Sequence, residues 1–464
     1  MGRFAPLVYG LAICGLLWIV RNRKARTTYS LWIPLFWLLL IGSRPVSAWL
    51  QVSAATISAD QFADGSPLDA AIWGALMVAG VLVLATRQNR VSDILRRNGP
   101  ILIYLGYCGL SSLWSDYTFV SFKRWTKEVG DFVMVLVILT EPNRLNAIKQ
   151  ILTRVSFILL PISIMLCKYY PNMGVTYDKW YGTPMFIGVS IHKNLLGMLC
   201  LLMGNGVFWM CLETFRKEQR FQRIKKLSGY GAVLGMTIWL LWTAGSATSS
   251  SCFGMMSMLM LAVTVSKTAR QPLVLNLMIG AIVLGTVITL FGAPAGGALL
   301  ASIGRDPTLT GRTEIWGVLL KIASNPILGT GFETFWLGDR LKKVWVMAQV
   351  INEAHNGYLE VYLNLGAIGV MMLAMILISG YRNVLVAFRR DGDFGKLRLI
   401  YFVTVLVYNL TEAAFKELNP MWFFFLLSIT IVPIAPAQPR ILAADKNAES
   451  RQDQSALQPA AKEL

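Results

Sequence analysis

The sequence predicts an all-α, polytopic integral membrane bundle, and three observations carry that expectation. Hydrophobic residues fill 55% of 464 positions and charged residues only 15%, far from the balance of soluble domains, so many segments must lie in lipid. Apolar runs recur along the chain at lengths near the roughly 20 residues that a helix needs to cross the hydrocarbon layer. Basic residues segregate: one alternating set of connections between the runs holds 28 of the 43 Lys and Arg. In lipid each backbone polar group must be satisfied within its own segment, and runs of this length do so as helices.

The first run, Pro6 to Val20, leads directly into Arg21, Arg23, Lys24 and Arg26 without a small-residue cleavage site, which marks a span rather than a cleaved leader. Twelve further runs centre near Phe36, Ala79, Gly106, Val135, Leu160, Leu202, Gly235, Met258, Ile282, Met372, Val405 and Leu426. Those at Phe36 and Val135 are short for full spans, so the expectation is about 12–13 transmembrane helices within residues 1–437. The remainder, 438–464, is polar and expected to be a disordered cytoplasmic tail. The six cysteines, Cys14, Cys108, Cys167, Cys200, Cys211 and Cys252, fall in or beside apolar runs with no CxxC pair, which suggests neither a zinc site nor a disulfide framework.

The basic set of connections is assigned to the cytoplasm by the positive-inside rule. The opposite set is balanced, with 15 basic and 15 acidic residues, so the net charge of +18 speaks of membrane orientation and not of nucleic acid. The balanced face carries two long connections, 168–194 and 293–356, and a compact segment, 115–131. Loops of such length generally have work to do.

Both histidines of the chain, His192 and His355, fall at the ends of outer loops where a run begins. His355 lies in Asn352-Glu-Ala-His-Asn-Gly-Tyr-Leu-Glu360, near a helix N-terminus at the membrane surface, a suitable place for a proton acceptor. The helix dipole there disfavours an imidazolium, whereas Glu353 and Glu360 favour one, and the sequence leaves that balance open. Arg312 opens a stretch in which Ile315, Leu319 and Ile322 recur at helical spacing, predicting an amphipathic surface helix capped by Thr310 or Gly311. An arginine in a first turn opposes the dipole, and a shared anion would justify it; headgroup anchoring is the plainer alternative. Lys123, Arg124 and Lys127 follow Trp114-Ser-Asp116 on the same face, against the trend that keeps basic residues inside. Tyr169, Tyr170, Tyr177, Trp180 and Tyr181 suit stacking on sugars and, equally, an interfacial aromatic belt. The single Asp-x-Asp pattern, Asp391-Gly-Asp393, sits in a basic cytoplasmic loop and is a poor candidate for holding a metal on a nucleotide-sugar.

Together these motifs resemble the O-antigen ligase and polysaccharide polymerase superfamily (Wzy-type) of the bacterial inner membrane. The carriers are Gly311-Arg-Thr-Glu-Ile-Trp316, Asn325-Pro, Leu328-Gly-Thr-Gly-Phe332, His355-Asn-Gly-Tyr-Leu-Glu360 and Leu365-Gly-Ala-Ile-Gly369, in that order. Ser190-Ile-His-Lys-Asn-Leu-Leu-Gly197 and Trp114-Ser-Asp116 are similar to the exopolysaccharide polymerase branch. At Ser246-Ala-Thr-Ser-Ser-Ser-Cys252, where many ligases carry an arginine, this chain has none, which also favours that branch.

The resemblance implies a cofactor-free, metal-independent and inverting glycosyl transfer from an undecaprenyl-pyrophosphate carrier to a sugar hydroxyl at the periplasmic face. His355 is then the expected base, and Arg312 and Arg124 the cations facing pyrophosphate. His192, Lys193, Glu314, Glu353, Lys127 and Trp180 are expected to orient donor or acceptor, although stabilising the loops would explain the first three almost as well. The implied partners are the lipid-linked glycan, membrane lipids and other polysaccharide assembly proteins, with no nucleic acid. Two rival functions remain: a ligase delivering glycan to a lipid A core, and a transporter or flippase of lipid-linked sugars. Against the transporter stand spans nearly free of charge and the lack of paired halves with matching broken helices.

Overall fold

All thirteen apolar runs are helical. The computed structural model describes residues 2–21, 27–51, 66–178, 182–291, 312–347 and 351–433; the expected tail from 438, Trp180 and the proposed caps Thr310 and Gly311 lie outside the described residues. Omitting one-turn pieces, the helices are α1 (Ala5–Val20), α2 (Trp32–Ile41), α3 (Pro67–Ala85), α4 (Gln88–Arg97), α5 (Gly99–Leu110), α6 (Thr118–Leu139), α7 (Arg144–Tyr169) and α8 (Lys193–Lys217). They continue as α9 (Arg220–Ala244), α10 (Ala247–Val265), α11 (Pro272–Phe291), α12 (Arg312–Ile322), α13 (Gly338–Met347), α14 (Gly357–Arg390), α15 (Gly392–Tyr408) and α16 (Pro420–Ile429). One small antiparallel hairpin, β1 (Val175–Tyr177) with β2 (Pro184–Phe186), precedes α8.

The expected polytopic helical membrane protein is borne out, with a refinement in how the runs meet the bilayer. Among the described residues seven helices are long and apolar enough to cross: α3, α7, α8, α9, α10, α11 and α14. By contrast α2, α5 and α16 have 10, 12 and 10 residues, a rise of roughly 15–18 Å against a hydrocarbon thickness of about 30 Å. Local chemistry shortens them. α5 opens on Gly99-Pro100 and tightens into a 3₁₀ turn at Ser111–Trp114, and α16 opens on Pro420 behind the capping side chain of Asn419. Every residue of α16 is buried, so protein rather than lipid surrounds it. α6, at the Val135 run, is 22 residues long, but Lys123, Arg124, Lys127, Glu128 and Asp131 are spread over its first 14 residues, leaving only the last eight free of charge.

Burial orders the bundle. α8 is buried along most of its length, while α3 and α11 turn most of their surface outward, as helices facing lipid do. Tertiary hydrogen bonds tie separate segments together: Arg44 donates to the carbonyls of Ser190 (3.0 Å), Gly188 (2.8 Å) and Met173, and Asp131 accepts from Trp37 Nε1 (2.7 Å) and the Leu418 N–H (2.8 Å).

A second, smaller core sits apart from the main one. Ile315 and Leu319 of α12, Leu341 and Val344 of α13, Phe335, Trp336, Ala354 and Leu363 pack together. Ile315 and Leu319 are buried while Glu314 and Leu320 are exposed, so α12 is the amphipathic helix that the spacing predicts.

Candidate functional site

The short motifs explain themselves as loop geometry before they do any chemistry. Gly366 interrupts α14 with φ 65°, and a Cβ there would lie 2.2 Å from the Ile327 carbonyl oxygen. The Leu328-Gly-Thr-Gly-Phe332 loop packs into that break. Ala367 N–H bonds Pro326 (2.9 Å), Gly331 N–H bonds Asn364 (2.9 Å), and a Cβ on Gly329 would meet the Asn364 backbone at 2.4 Å. Trp114-Ser-Asp116 clamps the same loop from the other side: Trp114 Nε1 donates to Leu328 O (3.3 Å), Ser115 Oγ pairs with Thr334 Oγ1 (2.9 Å), and Asp116 meets Arg340 (2.5 Å).

Asn356, Gly357 and Glu360 of the His355 motif likewise have structural reasons. Asn356 caps α14, its side-chain oxygen accepting from Tyr358 and Leu359 N–H, both at 3.0 Å, which satisfies donors that a helix start leaves open. Gly357 N–H bonds the Asn409 carbonyl (2.9 Å), and a Cβ on Gly357 would fall 2.0 Å from Asn409 Oδ1, so any larger residue must displace that amide. Glu360 is a latch: buried, it accepts from the Ala354 N–H (2.9 Å) and from Trp336 Nε1. Trp316 Nε1 donates to Ala354 O (2.8 Å), docking α12 on this loop. His355 itself has φ 50°, a left-handed conformation that a non-glycine residue holds only where its surroundings enforce it.

What the loop presents is a line of alternating charge. Arg312 donates to the Thr411 carbonyl (2.6 Å) and lies 3.6 Å from Glu412. Glu412 lies 3.7 Å from His355 Nδ1, Glu353 lies 3.0 Å from the same nitrogen, and Lys416 lies 3.0 Å from Glu353. The His355 contacts meet ion-pair distance without the alignment of a straight hydrogen bond. Asn194, in the first turn of α8, adds bonds to both Glu412 oxygens at 3.2 and 3.3 Å.

The sequence left open whether dipole or carboxylates would govern His355, and the carboxylates do. Burial works against the imidazolium, but Glu353 and Glu412 outweigh it and raise the pKa to about 9. Burial would raise Glu353, yet Lys416 and His355 hold it well below the usual carboxylate range. Lys416 is held above its ordinary value because Glu353, Glu333 and Glu360 outweigh its desolvation. At neutral pH the resting line is therefore positive, negative, positive, negative, positive.

Other expected residues fall into place less uniformly. Arg124 donates to the Glu333 carbonyl, and Arg124 and Lys127 both act electrostatically on Glu417, next to Lys416, so the α6 basic group borders the site. His192 caps α8, its Nδ1 accepting the Leu195 N–H at 3.1 Å, so that nitrogen carries no proton; the ring is near enough to feel Glu353, Glu412 and His355. Lys193 forms no ion pair among the described residues, and Glu314 points outward, exposed. Thr248 Oγ1 pairs with Thr411 Oγ1 (3.0 Å), bringing the serine-rich segment that lacks the arginine to the site wall. Asp393 pairs with Lys217, Arg216 and Lys396, a structural assignment that removes it from consideration as a metal ligand.

Sequence reasoning missed Glu412, Lys416 and Glu417. Their signal was available: Asn409-Leu-Thr-Glu-Ala-Ala-Phe-Lys-Glu-Leu-Asn419 puts three charges and two asparagines between two apolar runs on the balanced face. At 11 residues the loop was too short to stand beside the two long connections.

Glu353, His355 and Glu412 bring ligand atoms within 4.8 Å of one another, a spacing a divalent cation would accept. The charges argue otherwise, since each carboxylate already faces a permanent cation, Lys416 or Arg312, which would repel a second one.

Comparison with known proteins falls on this same region. Residues 231–374 match the family model described as O-Antigen ligase, a stretch that contains Arg312, the loop to His355 and the Gly366 break. The family resemblance carried by the motifs is borne out. Over 298 residues the chain is also 24% identical to "Exopolysaccharide production protein ExoQ" of Rhizobium meliloti (strain 1021), covering 61% of this chain and 64%, just under two thirds, of that relative. That likeness supports the exopolysaccharide branch of the O-antigen ligase family. The matched family segment stops before Glu412 and Lys416, which complete the charge line.

Proposed function

We propose that the protein is a membrane glycosyltransferase that moves a glycan from undecaprenyl pyrophosphate to a sugar hydroxyl at the periplasmic face of the bacterial inner membrane, polymerising exopolysaccharide repeat units. The observation that carries this reading is the Arg312–Glu412–His355–Glu353–Lys416 line, set on loops that the family's own motifs build.

In this reaction the acceptor oxygen bonds to the anomeric carbon from the face opposite the leaving group. The bond to the pyrophosphate oxygen breaks with its electron pair, and the hydroxyl proton goes to a base. Attack from the opposite face gives inversion. His355 suits the base: Nδ1 faces the two carboxylates that orient the ring, leaving Nε2 for the hydroxyl, the arrangement by which an acid steers a histidine. Nε2 keeps its own proton up to about pH 9 in the resting site, so catalytic competence rises with pH. Arg312 is suited to the departing pyrophosphate because its guanidinium offers paired donors, with Arg124 and Lys127 as further cations. Glu353 and Glu412 each already face a fixed cation, Lys416 and Arg312, which supports a metal-independent transfer.

The test is transfer by purified protein given a synthetic lipid-pyrophosphate oligosaccharide. Ladders of increasing length support a polymerase. A single addition onto a lipid A core and no ladder would favour the ligase, and movement of the intact lipid across vesicles without new linkages would favour a transporter. In cells lacking the protein, accumulation of single lipid-linked repeat units points to blocked polymerisation, and accumulation of long carrier-linked chains to blocked ligation.

A further inference from the structure

A polar cavity lies at the end of α8 away from His192. α8 carries the His192 cap at one end and Glu213 and Lys217 at the other; 25 helical residues separate the two ends by about 36 Å. Around that far end α1, α7, α8 and α9 enclose a cleft of about 770 Å³.

Its charge is unbalanced. Arg21, Lys149, Arg154, Lys217 and Lys226 line it, against Glu213 and Glu218. The acids are already matched: Glu213 by Lys149 (2.5 Å) and Lys217 (3.0 Å), Glu218 by Lys226. Two guanidiniums, Arg21 and Arg154, pair with no carboxylate among the described residues. Arg154 is the more telling. It sits ten residues inside α7, half-buried, its guanidinium 4.7 Å from the ring centre of Trp32. The structure places it within a helix long enough to span. A cation at that depth is costly unless it meets a counter-charge or water. Leu17, Val20, Ile158 and Met210 form the apolar side of the same cleft, so its lining changes from basic to hydrocarbon as a headgroup joined to acyl chains would require.

We infer that this cleft binds a phosphate group, that of an anionic phospholipid headgroup, with Arg154 and Arg21 holding the phosphate and the apolar wall receiving the chains. Lys149 and Lys217, paired with Glu213 in the lining, can release it to share the anion. The site is independent of glycan transfer and rests on no assignment at His355.

Full-length protein in zwitterionic nanodiscs, titrated with phosphatidylglycerol and followed by native mass spectrometry and thermal unfolding, tests this. Saturable retention of phosphatidylglycerol over phosphatidylcholine is expected, with a rise in unfolding temperature. Arg154→Gln should weaken retention roughly fivefold, the effect of one cation at an anionic headgroup. Inorganic phosphate and glycerol phosphate serve as competitors. If they fail to displace the lipid, the headgroup is the occupant; if they displace it at comparable concentration, the same site takes free phosphate. Equal retention of both lipids by the unsubstituted protein would overturn the inference, as would a folded Arg154→Gln protein that binds phosphatidylglycerol unchanged. The lipid comparison on the unsubstituted protein decides the matter even where the variant does not fold.

Discussion

Replacing Glu353 by Gln should move the pH dependence of glycan transfer, and the size of the move follows from the charge line. The His355 pKa of about 9 stands above an ordinary value near 6.5, a difference of about 3 kcal/mol in favour of the imidazolium. Two carboxylates supply it, and Glu353, at 3.0 Å, is nearer to Nδ1 than Glu412 at 3.7 Å. An opposite charge at such range shifts a pKa by about 1–3 units, so neutralising Glu353 should lower the His355 value by about 1–2 units. In the wild type only about 1% of His355 would be unprotonated at pH 7. If its Nε2 accepts the proton, kcat/KM, which reports the free enzyme, should climb about tenfold per pH unit below pH 9 and then level. The Glu353→Gln enzyme should level about 1–2 pH units lower. The assay is initial-rate ladder formation from a synthetic lipid-linked repeat unit between pH 6 and 10. A wild-type rate that instead falls as pH passes 9 would show that the imidazolium is the working form. An acid limb at the same pH in both enzymes would refute the coupling of Glu353 to His355.

Other consequences follow from the same geometry. Removing the base typically costs about 100- to 10,000-fold; His355→Asn tests this better than alanine because asparagine tolerates φ near 50°, and normal polymer yield from a membrane-inserted variant would end the assignment. Arg312→Lys keeps the charge but loses the paired donors, and transfer should fall at least about tenfold, measured as kcat/KM for the donor lipid. Gly357→Ala should lower stability by about 1–3 kcal/mol through the 2.0 Å clash with Asn409, and Asn409→Ala in the same chain should recover part of the unfolding temperature. The raised pKa of His355 also stabilises the fold: that contribution is complete below pH 6.5 and is lost as pH rises through about 9, so unfolding temperature should decline over that window in the wild type and not in His355→Asn. Chelation with EDTA should leave transfer unchanged, since both carboxylates already face fixed cations; dependence on an added divalent ion would refute this account of the site.

The fold was legible because lipid makes its demands in composition. Thirteen apolar runs were visible and all are helical, and even the doubtful runs at Phe36 and Val135 were doubtful for the right reason: one is a ten-residue helix and the other has charges spread over its first 14 residues. What composition could not reveal was that α5 and α16 also fall short of the bilayer, because a helix enclosed by protein is as apolar as one in lipid. At the site, His355 and Arg312 were legible as rule-breakers, a lone histidine motif and a first-turn arginine. Glu412 and Lys416 were not, because their meaning comes from a partner more than fifty residues away. The helix-dipole argument for His355 also points the wrong way here, since a dipole acts at the scale of a half charge and two carboxylates outweigh it.

The order of charges suggests how the site responds to its substrate. Arg312 at rest is held by Glu412 and the Thr411 carbonyl, so an arriving pyrophosphate must compete with Glu412 for it. When it succeeds, Glu412 keeps His355, Asn194 and their shared geometry, while its own charge is less neutralised. His355 then faces two carboxylates with one fewer competing cation, which holds its Nδ1 proton more firmly and makes Nε2 more basic. Donor binding would thus make the neutral ring a stronger base once the leaving group is in place, an advantage expressed at pH values where His355 is unprotonated. On this reasoning Glu412→Gln should bind donor lipid no worse than wild type, because it removes Arg312's competitor, yet turn it over more slowly above about pH 9, where His355 is the free base in both enzymes. A variant with weakened donor affinity and undiminished kcat would invert that split and reject the proposed competition.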